Sequence, residues 1–331
     1  MPGVAGKDLS TAAIKRFRTL AKASGRVEPG ILREPVAGLL DKLKLREGAY
    51  LKRAAVLLFH EDPEHFVTGA FVKIGFFRSE SDLAYHDLIH GGLFNQVAQT
   101  VDLLRTKYLK AAIHYQGLQR IETFPVPYDA LREAVLNAVV HRDYAITAPV
   151  QIRVYENRLI IWNPAILPEG WTQQTLITPH VSHPYNPDIA NAFFRAGEIE
   201  AWGRGIERIF AACRNAGAPK PKLRLEAGGI WTEFAFGPDY LKAISTPASA
   251  PEDSNLGRGE KRGGKRGGKL TPNRRKILEA MRADPSVTHK ELIALVGIGA
   301  TNIDKNIRVL RDAGLLRRIG PAKGGHWEIL P

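Results

Sequence analysis

The feature that most constrains this 331-residue chain is a stretch with almost nothing to bury, from about Ile244 to Lys269. Between those residues the sequence reads STPASAPEDSNLGRGEKRGGKRGGK, which is mostly Gly, Ser, Pro and charged residues. Such a segment cannot bury enough apolar surface to offset the chain entropy lost on folding. We therefore predict a linker that separates a large amino-terminal body from a smaller carboxy-terminal module.

Composition and net charge limit the classes of molecule that this chain is expected to bind. The formal net charge of +13 and the pI near 9.8 favour polyanions, with nucleic acid ahead of an acidic membrane surface. The single cysteine, Cys213, excludes an internal disulfide framework and a cysteine-based metal site. No apolar run approaches the length needed to span a bilayer. These observations predict a cytoplasmic protein without membrane insertion.

The carboxy-terminal module has the pattern of a winged helix-turn-helix. Helical periodicity runs over Thr271–Arg282, and a second helix opens at Thr288, where Thr-His-Lys-Glu is a capping box. A third helix is predicted over Thr301–Asp312, followed by short strands at Leu315–Ile319 and His326–Leu330. The third helix is the predicted recognition helix.

Polar and basic side chains are concentrated on this module and its linker, which predicts binding to double-stranded DNA. The predicted contacts are Lys261, Arg262, Lys265 and Arg266 of the linker, Thr301, Asn302, Lys305, Asn306 and Arg308 of the third helix, and Lys323 of the wing. Two alternatives remain open: a winged helix that binds protein, and a linker that is only solubilising.

The body contains one helix of chemical interest. In LREAVLNAVVHRDY, Glu133, Asn137 and His141 are spaced i, i+4 and i+8, so they share one helical face. A carboxylate, an amide oxygen and an imidazole in this arrangement could hold hydrated Mg²⁺ and orient a water toward a phosphate. From spacing alone, a surface stripe of polar residues is the commoner explanation.

Several ordered blocks resemble a known family. They are REAVLNAVVHRDY at 132–144, VQIRVYENRLIIWNP at 150–164 and SHPYNPDIANAFFRAGEIEAWGRGIERI at 182–209. The sequence resembles the Schlafen-AlbA/RecG-related ATP-binding proteins, whose central region is a divergent histidine-kinase-type (GHKL) ATPase. The resemblance implies an α+β fold, a GHKL-like α/β sandwich followed by a winged helix-turn-helix.

The resemblance also implies roles for individual residues toward ATP and Mg²⁺. Glu133 corresponds to the general base and Asn137 to the Mg²⁺ ligand. The implied nucleotide contacts are Asn163 near the adenine, Gly203 and Gly205 at the phosphates, and Arg204 and Asn186 as phosphate or lid contacts. Relatives read Asn-Pro-Gly-Gly where this chain has Asn163-Pro-Ala165-Ile166.

Each of these roles has a structural alternative. Glu133 and Asn137 are also suited to hydrogen-bonding a neighbouring loop, and Gly203 and Gly205 to tight helix packing. Trp162, Trp171, Trp202 and Trp231 are expected in the core rather than as base-stacking platforms.

The predicted organisation is an α+β segment at 1–118 leading into the ATPase-like domain, that domain at 119–242, the linker at 243–270 and the winged helix at 271–331. We expect a nucleotide-sensing, DNA-binding transcriptional regulator. The alternative is an ATP-hydrolysing, DNA-associated enzyme of the kind described as RecG-like helicase, although the chain has no Gly-x-x-x-x-Gly-Lys-Ser/Thr phosphate loop. The AlbA-type domain that usually precedes this arrangement is not recognised, so we expect a shortened paralogue or one half of a split pair. Besides DNA and nucleotide, the expected partner is a second copy of this chain or a separate AlbA-domain protein.

Overall fold

A computed structural model describes residues 1–116, 119–178, 181–200, 203–226, 228–245, 272–312, 315–319 and 326–329. The chain forms two compact units, Met1–Asp253 and Ser254–Pro331. Each unit has its own buried apolar cluster, so each can be stabilised independently. The predicted linker contacts Lys261, Arg262, Lys265 and Arg266 lie outside the described residues.

The first unit contains nine α-helices among its described residues. They are α1 (Thr11–Ser24), α2 (Val36–Lys42), α3 (Arg53–Phe59), α4 (Leu93–Leu103), α5 (Tyr128–Val140), α6 (Gln173–Ile177), α7 (Pro187–Arg195), α8 (Gly205–Asn215) and α9 (Pro238–Ser245). A π-helical turn, Leu104–Tyr108, extends α4. The strands described in this unit are β1 (Arg46–Glu47), β2 (Tyr50–Leu51), β3 (Val72–Phe77), β4 (Leu83–Ile89), β5 (Ala112–Gln116), β6 (Gln119–Thr123), β7 (Val150–Val154), β8 (Arg158–Pro164), β9 (Lys222–Glu226) and β10 (Gly229–Ala235).

One mixed sheet organises this unit. Its order is β4-β3-β7-β8-β10-β9, with β3 and β7 parallel and the other pairs antiparallel. Alternate strand residues, such as Ile74, Ile152 and Ile161, join the helices in one core that runs from Val4 to Phe236. Because strands from both sides of residue 118 share this sheet and core, 1–118 and 119–242 belong to one compact unit.

The α+β architecture is confirmed. Helix α4 ends at Leu103, the chain passes through the π-helical turn, and β5 begins at Ala112. The connection between β8 and α7 contains the short helix α6, and the strands β9 and β10 follow α8. Helix α6 has only five residues, so its periodicity in the sequence is weak.

The second unit matches the winged-helix pattern. Helices α10 (Pro272–Ala283), α11 (His289–Val296) and α12 (Ala300–Asp312) pack together, and α10 and α12 contact the hairpin of β11 (Leu316–Ile319) and β12 (His326–Ile329). The capping box of α11 forms as predicted between Thr288 and Glu291. Lys323, the predicted wing contact, lies outside the described residues. No helix in the described ranges is long and apolar enough to cross a membrane.

Candidate functional site

Helix α5 carries the two polar residues at the centre of the candidate site. Apolar neighbours such as Ala134 and Leu136 are buried, which anchors α5 between the sheet and the other helices. Glu133 is 7% exposed and Asn137 is half-buried. The helix therefore presents both side chains at the boundary between core and cavity.

Two cavities meet at this helix. The larger, of about 300 Å³, has a mainly apolar wall that includes Ala138, Ile209 and Ile230. The smaller, of about 60 Å³, contains Glu133 and Arg204. Six residues line both cavities: Asn137, His141, Ser182, Pro184, Gly203 and Gly205. The pair thus forms an apolar chamber with a polar end.

Gly205 brings the amino terminus of α8 against α5. A Cβ at this position would lie 2.7 Å from the Glu133 Oε1 and 2.9 Å from the Asn137 Nδ2. Gly203, two residues earlier, has a φ of +67°, a region that favours glycine. The unpaired backbone amides and the positive dipole end of a helix start favour an anion. The polar end of the chamber is therefore suited to phosphate.

The charge of Glu133 is controlled by two opposing effects. Burial raises the pKa of the Glu133 carboxyl, whereas the positive charges of Arg208 and Arg132 act to lower it. The Arg208 Nη1 lies 3.9 Å from the Glu133 Oε2, so the pair is loose. A carboxylate with a raised pKa beside a phosphate-sized space has the properties of a general base.

Asn163 lines the larger cavity. It lies within β8 and is 4% exposed. Its Nδ2 donates to the carbonyl of Pro164 at 3.4 Å, a long contact. Ala165 and Ile166, the departures from the family pattern, also line this cavity. The cavity therefore remains open despite their side chains.

The structure gives Arg204 and Asn186 different positions. Arg204 is the N-cap residue of α8 and lines the smaller cavity. Asn186 lines neither cavity. Its Nδ2 donates to the carbonyls of Val140 and Arg142 at 2.8 Å each, which ties α7 to the carboxyl end of α5. Its amide hydrogens are thus committed to the fold.

Sequence reasoning missed part of the cavity wall. Trp171, Ser182, His183 and Tyr185 line the larger cavity from the loop between β8 and α7. The expectation that Trp171 lies in the core is wrong, as it is for Trp162 and Trp231, which are only half-buried. Trp202 lies outside the described residues. Loop residues have no periodicity, so only the fold reveals that they face a cavity.

The chamber is suited to bind Mg²⁺ only when a phosphate group supplies the remaining oxygen ligands. Within the described ranges, no group of three or more His, Cys, Asp and Glu is placed to hold a metal ion. Mg²⁺ is commonly held by one or two protein oxygens together with phosphate oxygens. The amide oxygen of Asn137, beside the space that Gly205 leaves, suits that mode.

A second candidate surface lies on α12. Ile303, Ile307 and Leu310 are buried, which turns the opposite face outward. The predicted contacts on that face are exposed or half-buried: Thr301, Asn302, Lys305, Asn306 and Arg308. Asn306 also binds within the unit, since its Oδ1 accepts from the Arg274 Nε at 3.2 Å and its Nδ2 donates to the Asn302 carbonyl.

Comparisons with known proteins agree with this division. Residues 147–233 match the HATPase_c_4 family, described as "Putative ATP-dependent DNA helicase recG C-terminal". Residues 270–319 match a helix-turn-helix domain family. The chain combines a RecG C-terminal-type ATPase-like domain with a helix-turn-helix domain. The resemblance stated from the sequence blocks is confirmed at this level.

The ATPase-like match includes Asn163, Asn186, Gly203, Arg204 and Gly205 but begins after α5. A similar fold occurs in the crystal structure of the DIP2311 protein from Corynebacterium diphtheriae, with a TM-score of 0.59 and 17% identity. That alignment covers 99% of this chain and 63% of the DIP2311 chain, so this chain spans under two thirds of that neighbour. A search of the curated proteins found no match.

Proposed function

We propose that this chain is a DNA-binding regulator whose ATPase-like domain binds ATP with Mg²⁺. The observation that carries the proposal is the meeting of the α8 amino terminus with Glu133 and Asn137, at a distance that only Gly205 permits. An apolar chamber for a base, with a polar end for phosphates, is what a nucleotide needs. The helix-turn-helix domain supplies the DNA contact.

Binding of nucleotide is tested by thermal denaturation of the full chain with a non-hydrolysable ATP analogue and Mg²⁺. A ligand that binds only the folded state raises the melting temperature. We expect a rise in the parent and none in Asn137→Ala. The matched control is Asn191→Ala on α7. It removes the same type of side chain at a position that lines neither cavity. No rise in the parent would refute nucleotide binding.

Hydrolysis is a second candidate activity, favoured by the buried, raised-pKa Glu133 at the polar end. Mg²⁺ would neutralise phosphate charge, and Glu133 would take a proton from the attacking water. Phosphate release that falls at least tenfold in Glu133→Gln, with analogue binding retained, identifies a hydrolase. Binding without release in the parent identifies a sensor.

DNA binding is tested by titrating labelled duplex DNA at two salt concentrations. Each neutralised phosphate makes affinity fall with salt, with a slope of about one per contact. We expect Lys305→Ala with Arg308→Ala to weaken binding and reduce that slope. The charge-matched control is Lys276→Ala with Arg282→Ala, which removes two exposed cations from α10. An affinity for duplex DNA that does not change with salt concentration, or no detectable binding, would contradict the proposal.

A further inference from the structure

The sheet of the ATPase-like domain has a second face that the nucleotide chamber does not use. Residues alternating with the core positions point away from the helices. Two complete rows of cross-strand partners follow from the register. The first is Leu88, Lys73, Gln151, Trp162, Trp231 and Arg224, and the second is His86, Gly75, Arg153, Ile160, Glu233 and Lys222. We call these twelve residues the outer sheet face.

The outer sheet face lies outside the apolar cluster that the helices share with the sheet. Among the described residues, none of the twelve belongs to that cluster, although Gly75 and Ile160 are buried. Leu88 is 44% exposed at one end, and Trp162 and Trp231 are half-buried in the middle. Six strands spaced about 4.8 Å apart give rows roughly 24 Å long.

Two tryptophans lie side by side at the centre of this face. Their ring centroids are 6.1 Å apart. Gly229 leaves room for the Trp162 indole, because a Cβ there would lie 2.3 Å from the Trp162 Nε1. The Trp231 Nε1 donates to the Glu226 carbonyl at 3.2 Å, which holds the second ring against the sheet. The pair is thus fixed by its surroundings and not by core packing.

Arginines flank the aromatic pair. The guanidinium carbons of Arg153 and Arg224 each lie 5.6 Å from the Trp231 ring centroid. Arg224 is within 3.5 Å of Glu233 and also pairs with Glu226. Arg153 has no ion pair within the part of the chain that the structure describes. Its charge is available to a polyanion.

Cations outnumber carboxylates on this face. Lys73, Arg153, Lys222 and Arg224 provide four positive charges, and Glu233 provides one carboxylate among the twelve residues. Aromatic rings with cations beside them, on a sheet, suit extended single strands: bases stack on rings and guanidiniums, and phosphates meet the charges. A duplex hides its base faces and would gain only the charge contacts.

We propose that the outer sheet face binds single-stranded nucleic acid through Trp162, Trp231 and Arg153. This site is separate from both the nucleotide chamber and the helix-turn-helix domain. It does not depend on ATP binding, because the core-facing and outer residues alternate along the same strands.

The test uses the full chain carrying Lys305→Ala and Arg308→Ala, which reduces the contribution of α12. Anisotropy of a labelled 15-nucleotide oligo(dT) gives the affinity for a single strand, and a labelled duplex of equal length gives the comparison. Loss of one base-stacking aromatic weakens single-strand binding by about tenfold. We expect that loss in Trp231→Ala and in Trp162→Ala, with duplex affinity changed less than twofold.

Two variants keep the test independent of folding. Trp231→Phe retains an aromatic ring and is expected to keep most of the single-strand affinity, and Arg153→Gln removes charge and lowers the salt slope. Tyr128→Ala changes an aromatic residue that is 48% exposed and outside the face, and should bind as the parent does. Unchanged single-strand affinity in Trp231→Ala and Arg153→Gln, or an equal loss for duplex, would overturn the proposal.

Discussion

Gly205 determines how closely two helices approach in the candidate site. Any side chain at this position must displace the carboxylate of Glu133 and the amide of Asn137, because its Cβ would lie within 3 Å of both. Tight helix packing and the proposed approach to a phosphate therefore both depend on the absence of a side chain at Gly205. The close approach removes bulk from the α8 start and brings its backbone amides to the chamber.

We expect Gly205→Ala to reduce affinity for an ATP analogue at least tenfold. The added methyl group moves Glu133 and Asn137 and narrows the polar end of the chamber. Isothermal titration calorimetry measures the loss. Gly30→Ala is the matched control, since a Cβ at Gly30 has no atom within 4 Å. Equal affinities in the two variants would separate Gly205 from ligand binding.

Glu133 links stability to pH. Its pKa in the folded state is raised above the ordinary value of 4.5 by burial. Below that value both states hold the proton, and the group makes no difference. As pH rises through the interval between the two pKa values, the unfolded chain releases the proton first, so the free energy of unfolding falls.

Glu133→Gln should therefore melt higher than the parent at pH 7.5, on the order of 2–4 °C, and the gap should close near pH 4. The physical reason is that glutamine has no charged form, so burying it avoids the free-energy cost of burying an ionised carboxylate. Thermal denaturation at both pH values checks this, with exposed Glu207→Gln as the control. If the difference in melting temperature between Glu133→Gln and the parent grew toward low pH, the raised pKa of Glu133 would be contradicted.

At the scale of single elements, α11 is the clearest case of local specification. The Thr288 side chain accepts from the Glu291 backbone amide, and the Glu291 carboxylate accepts from the Thr288 amide at 2.8 Å. Gly297 closes the helix with a φ of +75°. Both ends are thus encoded by residues next to the helix, which explains why its start was predictable.

Thr288→Ala is expected to destabilise the helix-turn-helix unit by about 1 kcal/mol, because the Thr288 hydroxyl accepts from the Glu291 backbone amide at the start of α11. The change is measured as a shift of that unit's unfolding transition in urea. Lys290→Ala, an exposed position in the same helix, is the control and should shift it far less. Equal shifts would show that the cap is dispensable.

At the scale of the whole molecule, the two units have separate apolar clusters, one from Val4 to Phe236 and one from Ile277 to Leu316. Regulation between them therefore needs no shared core. A nucleotide that changes self-association of the first unit would change DNA affinity through avidity alone. This is the simplest route from an ATPase-like domain to a regulated DNA contact.

We expect differential scanning calorimetry of the full chain to show two unfolding transitions, because each cluster can be lost without the other. An ATP analogue should raise only the transition of the larger unit, since the chamber lies within it. Repeating the scan with Asn137→Ala should remove that shift. A single unfolding transition that shifts as a whole when the ATP analogue is added would contradict independent unfolding of the two units.

The amino-acid sequence by itself determined the division of the chain, the winged-helix tail and the helix that carries Glu133 and Asn137. Linker composition, helix caps and 3.6-residue periodicity act over a few residues, so they can be read locally. Only the tertiary structure decided that Gly205 meets α5, that Asn186 holds the end of α5, and that Trp171 lines a cavity. Likewise, Trp162 and Trp231 became neighbours because β8 and β10 pair across some seventy residues of chain. Pairing between strands that are distant in sequence depends on how the whole core packs, so it cannot be predicted from a local sequence pattern.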